Sequence, residues 1–523
     1  MNTRVPFKNI YSNDTTNLEN CTSPYRKKGE SYKPSFLREA VKEVAGLADA
    51  HFIQLAHGRV PWYKSKFYPF GEHLKWWSEY FEVPYEELIE LKGINGYVRD
   101  GGDILQDFID ACREFGQAAF VSLRLNDGHH VECCETKHHV RGLHSVCRFM
   151  MEHKEYMFGG NLKSWDNRCQ NWIYPEVTEY MLNLITEQCE MYDIDGFELD
   201  FMRHPHMYDV SATTFEERQS ITERFIKNVR AVLDRTERGG KHRYLCVRVP
   251  SKMEMWSELG LLPENMEKLG VEMVNVSTHY YTDQWTDFEE FTARMPNLAV
   301  YFEACHCTYQ GKVLKEGCYD NDTFRRASEN EIYTAAYIAH KAGAQGMSYF
   351  NFVYYREHGV EGRGPFNEPP FEVLKNAKDI EFISNAPQHF FIAKGWEHKS
   401  QLRGKSFAKG REHNFEIYMA EPPGKWQSDF RFRIIARDNL GDRQFKLWFN
   451  GAEAYPCEDI SEPYEEDGKY PPLHATPETA RAFRVPLRAV KNGKNQFTLS
   501  FESEQLYENI LIDYIDIFPE KCK

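Results

Sequence analysis

Apolar and polar positions along this chain follow two rhythms, and the rhythm changes once. In the first part, short apolar runs of strand character recur at residues 5–11, 51–55, 118–125, 194–201, 245–249, 274–278, 298–302 and 346–350. Between them apolar residues fall three and four apart. Leu37, Ala40, Val41 and Val44 show this, as do Leu105, Phe108, Ile109 and Cys112. Two further sets are Val177, Met181, Leu184 and Ile185, and Ile221, Phe225, Val229 and Val232. That spacing lines one side of a helix. Thr214-x-x-Glu217 and Ser328-x-x-Glu331 are capping boxes that open two of the helices. Gly239-Gly240 and Gly343 stand where two of them should stop. Eight strands with helices between them predict an α/β chain whose residues 1–385 form a (β/α)8 TIM barrel. The alternative is an open doubly wound sheet, but the chain has no G-x-G-x-x-G phosphate turn.

Beyond residue 385 the helical spacing disappears. Alternating runs take over at 415–419, 430–436, 444–449, 483–486, 496–501 and 510–517, with turns at Asn450-Gly451, Asp467-Gly468 and Asn492-Gly493. This predicts an antiparallel β-sandwich over residues 386–523. Its two readings are a carbohydrate-binding module and a packing domain that buttresses the barrel.

Composition narrows the function classes. The 523 residues are 41% hydrophobic and 27% charged, which excludes a disordered or fibrous chain. Sixty-four basic against 79 acidic side chains leave a net charge of −15, so no nucleic-acid or membrane partner is expected. No apolar window is long enough to span a bilayer. The first residues lack an apolar signal core, so the expected location is the cytoplasm, or a secreted or periplasmic one if a signal peptide has been removed. Thirteen scattered cysteines, close together only at Cys133-Cys134 and Cys305-x-Cys307, read as buried thiols and give no zinc ribbon. Aromatic residues make up 15% of the chain, which suits a large core or platforms for sugar rings.

In such barrels chemistry sits at the C-terminal ends of the strands. Polar residues collect there on every predicted strand. Asn13 and Asp14 follow the first, and His57 and Arg59 the second. Arg124, Asn126, Asp127, His129 and His130 belong to the third, and Glu198, Asp200, Arg203 and His204 to the fourth. The fifth brings Arg248 and Glu254, the sixth His279 and Tyr280, the seventh Glu303 and His306, and the eighth Tyr349 and Asn351. Glu198 and Asp200 are two apart and share one side of their strand. Asp200 is then at the rim, and Glu198 one layer deeper, where it orients Arg124 or Arg248 or holds a substrate hydroxyl.

The stretch Asn171-Trp-Ile-Tyr-Pro-Glu-Val, followed by a helix and Tyr192-Asp-Ile-Asp-Gly-Phe-Glu-Leu-Asp-Phe-Met-Arg203, resembles the glycosyl-hydrolase-like family 10 barrels. The second piece is also similar to the nucleophile strand of α-amylase-like barrels, with Glu198 where that pattern has an arginine. The resemblance implies a glycosidase with Asp200 at the position of the family carboxylate. Glycoside hydrolysis uses two carboxyl groups, one as acid and one as nucleophile or base. Glu303 is the expected partner of Asp200, with Glu254 and Asp127 in reserve.

Arg59, Arg124, Arg203 and Arg248 suit an acidic sugar, uronic or sulfated, because guanidinium binds oxyanions in a fork. Alternatively they pair with the carboxylates around them. Asn126, Asp127, His129, His279, Tyr280, His306, Tyr349 and Asn351 are expected to meet substrate. No cofactor and no metal is expected. Two rivals stand beside the glycosidase: a metal-dependent hydrolase or deacetylase built on the histidines, and a glycan-binding barrel without catalysis. Sugar identity, anomeric outcome and oligomeric state are not legible.

Overall fold

A computed structural model of the chain describes residues 5–27, 30–55, 58–89, 91–132, 142–284, 287–313, 322–356, 368–395, 401–402, 405, 407, 410–463, 475–502 and 510–520. His57, Cys133, Cys134 and the Asp467-Gly468 turn lie outside them.

Eight strands close into a barrel: β1 (Asn9–Asp14), β2 (Ala50–Gln54), β3 (Ala118–Arg124), β4 (Gly196–Asp200), β5 (Tyr244–Pro250), β6 (Met273–Ser277), β7 (Ala299–Cys305) and β10 (Gly346–Phe350). Their order around it is β1-β10-β7-β6-β5-β4-β3-β2, so each strand lies beside its predecessor in the alternating pattern. Between β7 and β10 comes a hairpin, β8 (Cys307–Val313) and β9 (Asp322–Arg326), which the alternation did not announce.

Most strand boundaries differ from the predicted runs by a residue or two, and at β1 and β7 the difference bears on the site. β1 begins at Asn9 rather than at residue 5. Val5 and Phe7 instead plug the bottom of the barrel, packed with Ile10, Phe52, Phe120, Cys246 and Tyr301, and the Tyr301 hydroxyl donates to the Phe7 carbonyl at 2.8 Å. An apolar run therefore marked burial there, not a ladder. Asn13 and Asp14 become the last residues of β1. β7 runs on to Cys305, so Glu303 is inside the strand, on the face it shares with Ala299 and Tyr301.

The capping box at Thr214 is formed: its hydroxyl accepts from the Glu217 amide at 3.2 Å, and the Glu217 carboxylate accepts from the Thr214 amide at 2.8 Å. It opens the helix Phe215–Arg235. The box at Ser328 likewise opens the helix Glu329–Lys341.

The last part of the chain is two antiparallel sheets. One has the order β11 (Phe390–Ala393), β19 (Ile512–Pro519), β13 (Phe430–Ala436), β17 (Ala480–Val485), β16 (Tyr455–Cys457). The other runs β12 (Glu412–Met419), β18 (Gly493–Glu502), β14 (Gln444–Phe449), β15 (Ala452–Glu453). Phe432 of the first meets Phe497 of the second at 5.0 Å between centroids, which is face-to-face sandwich packing.

Packing divides the chain into two compact units: residues 1–279 with 289–302, and residues 280–288 with 303–523. The second holds a buried ionic network. Arg325 pairs with Glu331 at 2.5 Å, and Tyr514 of β19 donates to the same carboxylate. His389 and Arg433 both bond Asp516, at 2.8 and 2.6 Å. Among the described residues nine cysteines are free thiols, eight of them buried. No helix among the described residues is long and apolar enough to cross a membrane.

Candidate active site

Strand parity builds the barrel interior in layers. In register, Gly196 lies beside Phe120 and Tyr244, Glu198 beside Ser122 and Cys246, and Asp200 beside Arg124 and Arg248. Two residues up each strand the chemistry changes from apolar floor to hydrogen-bonding layer to ionic layer. The floor is tight: Phe52 and Phe120 stack at 4.4 Å, and a Cβ on Gly196 would stand 2.1 Å from the Phe120 ring.

Glu198 occupies the middle layer, fully buried. It accepts from Ser122 Oγ at 2.7 Å and Asn275 Nδ2 at 3.2 Å, with the Cys246 thiol at 3.6 Å. The hydrogen bonds from Arg124 to Asp14 and from Arg248 to Asp200 lie one layer higher, and Arg248 acts on Glu198 through its charge. Burial, and after it the Asp200 charge, pushes Glu198 up to about 7.

Asp200 ends β4 in the ionic layer, also fully buried. Oδ1 accepts from the amides of Met202 at 2.9 Å and Arg203 at 3.0 Å. Oδ2 faces Arg248 Nη1 at 3.0 Å and, at a long 3.4 Å, Gln54 Nε2. Arg248 continues to Ser277 Oγ at 2.8 Å. Arg124 bridges Asp14 at 2.6 Å, Asp127 at 3.1 Å and Gln54 at 2.6 Å. Four of the expected residues, Asp200, Arg248, Arg124 and Asp127, thus sit in one continuous network with Asp14 and Gln54.

Above this layer runs a chain of imidazoles. Asp127 Oδ1 accepts from His129 Nδ1 at 2.5 Å and from the His129 amide at 2.8 Å. His129 Nε2 accepts from Arg203 Nη2 at 2.7 Å, and His279 Nε2 accepts from Arg203 Nη1. Arginine only donates, so these bonds put the His129 proton on Nδ1 and leave His279 Nε2 bare. Burial, then the Arg203 charge, holds His279 well below the ordinary imidazole range. His130, His204 and His279 all have positive φ, at 60°, 54° and 73°. Left-handed backbone at non-glycine residues is a strain that the surrounding contacts hold in place.

The remaining expected residues are distributed as follows. Arg59 is fully buried, donating to the Asp127 carbonyl and, at 3.0 Å, to Asn126 Oδ1. Asn126 Nδ2 donates to the carbonyls of Gln170 at 2.8 Å and His206 at 2.7 Å, so Arg59 and Asn126 clasp loops. Glu254 is exposed on the short helix Met253–Leu259. In the other unit Glu303 is buried, with 7% of its surface exposed. The Tyr280 and His306 rings meet edge-on at 4.7 Å, and His306 Nδ1 is 3.2 Å from the Cys305 sulfur. Tyr349 and Asn351 are buried at the end of β10, and burial pushes the Tyr349 phenol upward. Trp165, which is not among those expected residues, is 44% exposed, with His204 stacked on it at 4.6 Å and the Arg168 guanidinium 4.2 Å over its ring.

Gln54, Ser122, Asn275 and Ser277 are network members without charge, so charge at strand ends does not mark them. The available signal was parity. Each lies an even number of positions above a floor residue: Phe52 to Gln54, Phe120 to Ser122, Met273 to Asn275 and Ser277.

Asp127, His129 and His204 place ligand atoms within 4.8 Å of one another, a spacing that could hold a metal ion. The donor set fits poorly in its present arrangement. His129 already uses both nitrogens, toward Asp127 and Arg203, and His204 Nδ1 accepts from the Gly128 amide at 3.0 Å. A cation bound at His129 Nε2 would have to displace a guanidinium.

No family model and no curated protein matches the chain. Among solved structures it is similar to a cycloisomaltooligosaccharide glucanotransferase from Paenibacillus sp., with 10% identity over 97% of this chain and a TM-score of 0.32. The chain spans 57% of that protein's length. It is also similar to the glycoside hydrolase domain of PgaB from Bordetella bronchiseptica, with 10% identity, 72% and 99% of the two chains covered and a TM-score of 0.42. A glycoside hydrolase family 5 protein from Bacteroides vulgatus gives 11% identity, 95% and 90% coverage and a TM-score of 0.38. The barrel itself stands on the strand ladders described above.

Proposed function

We propose that the chain is a glycoside hydrolase acting on a poly- or oligosaccharide, with Asp200 and Glu303 as its two carboxyl groups. The observation that carries the reading is the setting of Asp200. At the C-terminal end of β4 its carboxylate is aimed by two successive backbone amides and by Arg248. Its longest contact is the 3.4 Å one from Gln54 to Oδ2. Glu303 supplies the second carboxyl from β7. Hydrolysis then divides as in other two-carboxylate glycosidases: one group gives a proton to the leaving oxygen, and the other attacks the anomeric carbon or activates water.

The test is turnover on a panel of neutral, uronic and sulfated glycans by wild type, Asp200→Asn and Glu303→Gln, with thermal melts as the control for folding. Each variant is expected to lose at least about a hundredfold in kcat. Near wild-type turnover in both folded variants refutes the assignment.

The rival reading, a metal-dependent hydrolase, has the Asp127, His129 and His204 spacing on its side and requires a cation to displace Arg203 from His129. It predicts stoichiometric metal by elemental analysis and loss of activity in chelator. Under the glycosidase reading activity survives the chelator.

A further inference from the structure

Of the four arginines expected at the barrel mouth, three are sealed: Arg59, Arg124 and Arg248 are each at most 2% exposed. Arg124 and Arg248 are neutralised by Asp14, Asp127 and Asp200, and Arg59 is spent on a carbonyl and an amide oxygen. Arg203 differs on every count. It is only partly buried, and no carboxylate among the described residues lies within ion-pair distance of it. Its guanidinium is held between two imidazole nitrogens, on His129 and His279. Its Nε meets no partner, although that atom is buried.

The donor arithmetic then matters. A guanidinium has five N–H groups, and the two imidazoles use one on each terminal nitrogen. The buried Nε–H and one N–H on each terminal nitrogen remain, and the two terminal N–H groups are the pair that grips an oxyanion end-on in a fork. Both neighbours accept through Nε2, so each adds orientation without neutralising the charge. In a chain of net charge −15, a partly exposed guanidinium that feels Asp127, Asp14 and Asp200 only from beyond ion-pair distance is a feature that stability alone gives no reason to keep.

We propose that Arg203 is the anchor for an oxyanion substituent of the sugar, a uronate carboxylate or a sulfate ester, fixed by His129 and His279 as neutral supports. The proposal rests on the glycan reading above for the molecule that carries the anion. It takes the acidic-substrate expectation away from Arg59, Arg124 and Arg248 and gives it to one residue.

The test is calorimetric or NMR titration of the full chain at low ionic strength with glucose, glucuronate, glucose 6-sulfate and inorganic sulfate. Glucuronate or the sugar sulfate is expected to bind at least about tenfold more tightly than glucose, the effect of one charge-assisted hydrogen bond. The tighter of the two names the substituent. Arg203→Gln should erase the preference and Arg203→Lys should retain part of it, because lysine keeps the charge but not the fork. Both leave the Arg203 backbone amide on Asp200. Equal binding of glucose and both acidic sugars by wild type overturns the proposal whatever the variants do. So does an unchanged acid preference in Arg203→Gln, or inorganic sulfate binding as tightly as the sugar sulfate. Binding needs no bond cleavage, so the two readings fail separately. Acid preference without hydrolysis of any glycan sinks the enzyme assignment alone, and hydrolysis of neutral glycans without acid preference sinks the anchor alone.

Discussion

Glu198→Gln is the perturbation that reads the barrel interior most directly. Glu198 is fully buried, and burial together with the Asp200 charge raises it from the ordinary 4.5 to about 7. Its folded value is thus above its unfolded one. Between about pH 4.5 and 7 the unfolded chain has released this proton while the folded chain still holds it, so stability falls as pH rises through that window. The difference corresponds to ~3 kcal/mol, fully felt above pH 7 and absent below about 4.5. Glutamine carries no proton to lose. Its amide can accept from Asn275 Nδ2 and donate to Ser122 Oγ, which keeps both bonds of the site. The variant should therefore gain on wild type with rising pH, by ~3 kcal/mol at the plateau. Denaturant unfolding followed by tryptophan fluorescence, at steps from about pH 4.5 to 8, measures the gap. A gap that stays constant within about 0.5 kcal/mol across the range means that Glu198 titrates like an exposed acid, and refutes the layer argument.

Gly196→Ala should destabilise by ~1–3 kcal/mol, because the new Cβ would stand 2.1 Å from a Phe120 ring already stacked on Phe52; an unchanged denaturation midpoint would show that the ring has room. Asp516→Asn should cost ~3–5 kcal/mol by leaving Arg433 short of its buried counter-charge, read as a fall in melting temperature. Against the upward push of burial, Arg433 and His389 hold Asp516 below the usual carboxylate range, so its contribution is present above pH 3.8 and fades as pH falls below that; acid unfolding should come earlier in wild type than this pairing allows only if the network is not formed. Thr214→Ala should cost ~1 kcal/mol by opening the capping box, and Thr214→Ser should restore most of it.

The barrel was legible because its signal is local and repeated. Period-two and period-3.6 patterns alternate, and β10 at Gly346–Phe350 and β13 at Phe430–Ala436 coincide with the runs that announced them. The capping boxes at Thr214 and Ser328 were readable for the same reason, since all their atoms lie within one turn. Strand edges were less legible. Val5 and Phe7 look like ladder residues and are plug residues, because hydrophobicity reports burial and not hydrogen-bond partners. The β8–β9 hairpin stands between β7 and β10, where the strand–helix alternation leads straight to a helix, so that pattern does not announce it.

For the site, the chain by itself determined the inventory and the layering: which acids and bases stand at strand ends, and that Glu198 and Asp200 share a face one layer apart. Those follow from the fixed geometry of a β-strand. Which charge meets which was decided only by closure of the barrel. Arg124 finds Asp14 across 110 positions of sequence, and Arg203 finds His129 and His279 across 74 and 76. Pairing over such distances depends on the register between strands and on loop paths, and neither leaves a mark in local composition. The same four arginines that were equivalent in the sequence became two paired with carboxylates, one spent on amide and carbonyl oxygens and one held between two imidazoles, because a buried charge must be matched where it lies and the fold alone sets who is within reach.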